Sequence, residues 1–163
     1  MKKAIFYLST LIFVLGIQLI INRYAGHMLS VDITLISILY FGLVQGPWRA
    51  QALAFTWGLL LDAASLGVLG LHALLYAVAG FAAGTVRRQL DEDKIWTQSL
   101  FAMLTTLLFI VVYRVLERLL ANGEGLWTWR TFALPVANAL AAPIVFWFLN
   151  QWVDMWNYST QKR

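Results

Sequence analysis

The 163-residue chain is 61% hydrophobic and only 12% charged, with a mean hydropathy of +0.71. Soluble domains run at about 45–50% apolar and about 25% charged, so the composition excludes an ordinary soluble domain and indicates a polytopic membrane protein. The net charge of +4 comes from basic residues dispersed at the ends of apolar runs, a pattern that argues against nucleic-acid binding, and the absence of cysteine excludes disulfides and thiolate-ligated metals.

A spanning helix needs roughly 17–25 mostly apolar residues. That rule predicts an all-α transmembrane bundle of about six spans in a single domain, residues 1–163, with spans at about 4–22, 31–46, 50–67, 70–86, 96–120 and 131–153. The first span follows Lys2-Lys3 and is read as retained, because Asn22-Arg23-Tyr24-Ala25 is a poor small-residue cleavage site. The second and third spans are near the minimum length and are joined by Gly46-Pro47-Trp48-Arg49. A five-span arrangement, with part of 31–67 re-entrant, is the alternative. Gly67-Val68-Leu69-Gly70 makes a tight apolar turn before the fourth span, where glycine supplies the backbone freedom a short turn needs. The polar stretch Arg87–Lys94 reads either as a solvated hairpin that fixes topology or as a docking site for a cytoplasmic partner.

Basic residues favour the cytoplasmic side of short loops. With six spans and an internal N-terminus, Lys2, Lys3, Arg49, Arg87, Arg88, Lys94, Lys162 and Arg163 lie inside, and Arg23, Arg114, Arg118 and Arg130 lie outside, eight against four. Both termini are therefore expected in the cytoplasm. Trp48, Trp96, Trp152 and Trp156 then mark the inner interface and Trp127 and Trp129 the outer one.

Small residues recur at helical spacing: Gly42 with Gly46, Gly80 with Gly84, and Ala133, Ala137 and Ala141. With Gly58, these glycines mark helix-packing faces, within the chain or against a partner helix or a second copy, because small residues let backbones approach closely in lipid. Asp62 interrupts an apolar run, where a carboxylate at a helix centre costs roughly 2.5–3.5 kcal/mol unless it finds a partner, water or the interface. Twelve residues from Ala50, at about 1.5 Å per residue, put it roughly 18 Å along its span. The same topology sends Asp32, His72, Arg114, Glu117 and Arg118 to the outer half of the bundle. Two readings stand: local neutralisation, such as Arg114 with Glu117, or a polar groove that receives a ligand or partner segment. His27 and His72 are lone histidines, and the chain carries no hydrolase, phosphate-loop or metal-ligand motif, so neither catalysis nor a metal or other cofactor is expected.

The stretch Val31-Asp32-Ile33, Tyr40–Gly46, Gly58-Leu59-Leu60-Leu61-Asp62, Leu69-Gly70-Leu71-His72 and Gly80 resembles the rod shape-determining protein MreD family of bacterial inner-membrane proteins. Val31 stands where that family usually has proline. The resemblance implies a non-enzymatic scaffold of the cell-elongation complex. It would bind MreC, a single-span periplasmic protein, and act with MreB and the glycosyltransferase and transpeptidase that build lateral peptidoglycan. It also implies a fold similar to the substrate-binding subunits of energy-coupling-factor transporters. The alternative function is accordingly a membrane substrate-binding subunit for a vitamin-type small molecule.

Overall fold

The computed structural model describes residues 2–24, 31–64, 69–89, 94–121 and 129–161. These form six helices: α1 (Lys2–Tyr24), α2 (Ile33–Gln45), α3 (Pro47–Ala64), α4 (Leu71–Val86), α5 (Ile95–Ala121) and α6 (Trp129–Gln161). No strand occurs among the described residues.

Consecutive helices run in opposite directions, and cross-chain contacts fix their order. Near the start of α1, the Tyr7 hydroxyl donates to Gln45 Oε1 at the end of α2 (3.0 Å). Phe6 meets Trp156, the Trp152 ring N–H donates to Thr10 Oγ1 (3.1 Å), and Phe13 stacks on Phe148, so α1 and α6 are antiparallel. Phe6 and Phe13 of α1 and Phe148, Trp152 and Trp156 of α6 supply rings to this contact. One end of the bundle thus gathers the starts of α1, α3 and α5 with the ends of α2, α4 and α6. The opposite end gathers the starts of α2, α4 and α6.

Helix α2 is the centre. Ten consecutive residues, Thr34–Leu43, are buried, as expected for a helix that is hydrophobic on every side. Its 13 residues span about 20 Å, short of a hydrocarbon core about 30 Å thick. Among the described residues, two helical stretches are long and apolar enough to cross a membrane: Ile95–Leu116 in α5 and Phe132–Trp156 in α6. Helix α6 continues through Pro135 and Pro143. Each proline removes a backbone donor and frees the carbonyl four residues earlier, which membrane helices tolerate when neighbours re-satisfy it.

The junction of α2 and α3 is tighter than the sequence predicts. Pro47 is already the first residue of α3, a position where its fixed φ and missing N–H cost nothing. The turn is therefore Gly46 alone, at φ +90°, with its N–H donating to Gly42 O (3.0 Å).

Helices α2, α3 and α4 pack backbone to backbone through the glycines. A Cβ on Gly58 would collide with Ala73 and His72, and one on Gly84 with Pro47 and Gly46. On Gly42 it would lie 2.5 Å from Ala83 Cβ, and on Gly80 3.0 Å from Ala50 O. A Cβ on Gly46 would meet Arg87 Nη1 at 2.7 Å. All five glycines thus face neighbours within this chain.

Candidate functional site

The polar residues of the α2 and α4 starts assemble into one site. Gly70, at φ +90°, is the N-cap of α4 and has no side chain to cap it. Asp62, in the last described turn of α3, supplies the missing acceptor. Its Oδ2 accepts from Gly70 N (2.9 Å) and Ala73 N (3.1 Å), and its Oδ1 from His72 N (3.3 Å) and His72 Nδ1 (2.7 Å). The carboxylate is only 2% exposed and lies on the positive end of a helix dipole, where the first-turn N–H groups lack intrahelical acceptors. The contact to a carboxylate fixes the His72 proton on Nδ1. The cost of burying Asp62 is thereby offset by capping, at the end of α3 and not in the middle of its apolar run.

Asp32 does the same for α2. Its Oδ1 accepts from Leu35 N (2.9 Å), the usual N-cap bond, and its Oδ2 accepts from the Tyr76 hydroxyl of α4 (2.8 Å). Its own N–H donates to Asn138 Oδ1 of α6 (2.9 Å), and Asn138 Nδ2 donates to Thr106 Oγ1 of α5 (2.9 Å). From α1, Gln18 Oε1 accepts from Ile33 N (2.8 Å) while its Nε2 donates to Val31 O (3.2 Å). The start of α2 is therefore held by side chains of α1, α4 and α6.

An aromatic group joins the two carboxylates. His72 lies 5.8 Å from the Tyr76 ring and 4.8 Å from the Tyr113 ring, and Phe109 lies 5.2 Å from Tyr76, so α5 closes this side. Of the six predicted polar residues, Asp32, Asp62 and His72 are brought together. Half-buried Arg114 follows Tyr113 at the same end of the bundle, and Arg118 is exposed one turn on. The side chain of Glu117, and with it the predicted Arg114–Glu117 pair, lies outside the described residues, as do His27 and most of the 122–130 loop.

Gln18, Tyr76, Thr106 and Asn138 were not singled out from the sequence, although Gln18 and Asn138 are amides within apolar runs, a signal of an internal partner. Chemically, the arrangement ties helix ends together. The acceptor atoms of Asp62 and Asp32 are engaged by backbone N–H groups, an imidazole and a phenol. Among the described residues, no three His, Asp or Glu side chains gather closely enough to hold a metal ion.

Neither the curated proteins nor the solved structures contain a match to this chain. A family model does match: the one described as rod shape-determining protein MreD, over residues 2–152, which include every element of the site and all but the last turns of α6. Match and residues agree, since the Asp62, Gly70 and His72 of the sequence resemblance are the residues that build the α3–α4 cap, and the chain belongs to the MreD family of rod shape-determining membrane proteins.

Proposed function

We propose that this protein is a non-enzymatic scaffold of the cell-elongation machinery. In that role it crosses the inner membrane six times with both termini cytoplasmic, binds MreC, and organises lateral peptidoglycan synthesis with MreB and the wall-building enzymes. The observation that carries the reading is the MreD family match across residues 2–152. The use of Asp62 and Asp32 as helix caps supports it, because a buried carboxylate engaged by several donors is suited to rigidity. Alternation of six helices, with both chain ends at one end of the bundle, supports the even span number. A likeness to the substrate-binding subunits of energy-coupling-factor transporters belongs to the same proposal. Since the glycine faces are engaged within the chain, the reading has the partner bind the outside of the bundle, where α5 leaves Leu100, Leu104, Leu107 and Leu108 exposed.

The test is recovery of the tagged protein from its native membrane. The single-span periplasmic protein MreC should copurify, and the gene should restore rod shape to cells lacking it. Recovery of a transport ATPase instead, with a rise in melting temperature on adding a vitamin, would establish the transporter reading. Gln89→Cys and Gly123→Cys, placed singly in this cysteine-free chain, should react with an impermeant thiol reagent from opposite faces of the membrane. Labelling from the same face eliminates six spans.

A further inference from the structure

At the end of the bundle opposite the carboxylate caps, the α2–α3 junction and the last turn of α4 surround an open cavity of about 850 Å³. Its lining includes Gly46, Trp48, Arg49, Gly84, Arg87 and Arg88, and no acidic residue contributes to it among the described residues. All three arginines are exposed, and none makes an ion pair or hydrogen bond through its side chain among the described residues. Arg87 reaches across the positive-φ turn, with Nη1 2.7 Å from where a side chain on Gly46 would begin. Trp48 and Arg49 belong to the first turn of an 18-residue helix, whose free N–H groups and dipole add to the positive field. The carbonyl end of α4 opposes it locally, partly satisfied by the Gln89 N–H donating to Val86 O (2.8 Å).

The rim of the cavity is apolar. Trp48 is 75% exposed and meets Phe81 edge-on at 5.5 Å, and Val44 and Phe81 are themselves exposed beside it. Guanidinium groups bind phosphate oxygens through paired N–H donors, and basic pockets between membrane helices take anionic headgroups. A free anion would use the arginines alone; a phospholipid also uses the rim, with tryptophan at headgroup level. We propose that this cavity binds an anionic phospholipid, with its phosphate held by Arg49, Arg87 and Arg88 and its acyl chains lying along Trp48 and Phe81.

The experiment is native mass spectrometry of the purified full chain. Phosphatidylglycerol, cardiolipin and phosphatidylcholine are titrated in detergent, against wild type and R49Q, R87Q and R88Q, singly and combined. The anionic lipids should bind in preference to phosphatidylcholine, about fivefold more weakly for each arginine removed, as expected for roughly 1 kcal/mol per basic residue near an anionic headgroup. Trp48→Ala should weaken them too, while R23Q, an exposed arginine at the other end of the bundle, should not. Equal retention of phosphatidylcholine, or full retention by the triple variant, overturns the proposal. Complete displacement by excess inorganic phosphate would instead make this a simple anion site. Asp91, Glu92 and Asp93 follow in the sequence, outside the described residues. Anionic lipid binding that arises only when those three are changed to Asn, Gln and Asn would assign the arginines to the chain's own acidic segment and also overturn the proposal.

Discussion

At one end of the bundle Asp32 and Asp62 face inward onto the starts of α2 and α4, whereas at the other Arg49, Arg87 and Arg88 stand exposed around a cavity. Both ends bring short, closely packed helices together, and each has a positive-φ glycine, Gly70 in the first case and Gly46 in the second. The difference lies in what each charge meets. A carboxylate is acceptor-only and matches the unpaired N–H groups of a helix start, so a fold made of helices offers it internal partners. A guanidinium is donor-only, and the last turn of α4 offers few carbonyls for three of them, so their complement must come from elsewhere. The acidic end contributes to stability and the basic end to interaction.

That contrast predicts unequal costs. The largest belongs to Asp62→Leu, which leaves several N–H groups at the start of α4 without an acceptor. At about 1–3 kcal/mol for each unsatisfied buried group, a total loss of roughly 3–5 kcal/mol is expected, seen as poor accumulation in the membrane and a large fall in melting temperature. Asp62→Asn keeps one acceptor oxygen and should lose less, about 1–3 kcal/mol. Wild-type melting of the leucine variant would refute the capping role.

Next comes Gly84→Leu, which sets a side chain against Pro47 and Gly46 and should cost about 1–3 kcal/mol or more by overpacking. Gly80→Ala meets its neighbours at 3.0–3.2 Å and should be milder. If the two melt alike, backbone contact is not what the glycines provide. Asn138→Leu removes the acceptor for Asp32 N–H and the donor to Thr106, for an expected loss of about 1–2 kcal/mol, measured by the same melting curves. Smallest of all, Arg87→Gln should change the melting temperature of delipidated protein by no more than about 0.5 kcal/mol equivalent. A large loss there would mean that the basic end, too, is structural.

Much of this was legible in the sequence for identifiable reasons. Glycines four apart mark one helix face, and an aspartate within an apolar run demands an internal partner, although the sequence does not say that the partner is the start of the next helix. Which helices the glycines would face was not legible, because spacing names a face and not its neighbour. The Gln18 and Asn138 bonds to the start of α2 join residues as far as 106 positions apart, beyond any local pattern. A Gly-Pro pair reads as a turn, while proline is equally at home in the first turn of a helix, which is where Pro47 stands. For the same reason Asp62 lies further along its helix than a start at Ala50 implies, close to the end of α3.

The donors to Asp62 from Gly70, His72 and Ala73 lie eight to eleven residues downstream of it, beyond the end of α3. In the proposed six-span arrangement, a nascent chain that has made α3 but not the first turn of α4 therefore carries a carboxylate without these donors in an otherwise apolar segment. That segment partitions poorly into lipid until synthesis has moved on by another few residues. The consequence is a constraint on biogenesis: α3 and α4 should leave the insertion machinery as a pair, committed together by a single side chain. Substitutions at residue 62 would then act first on the timing of membrane insertion, before any finished bundle exists.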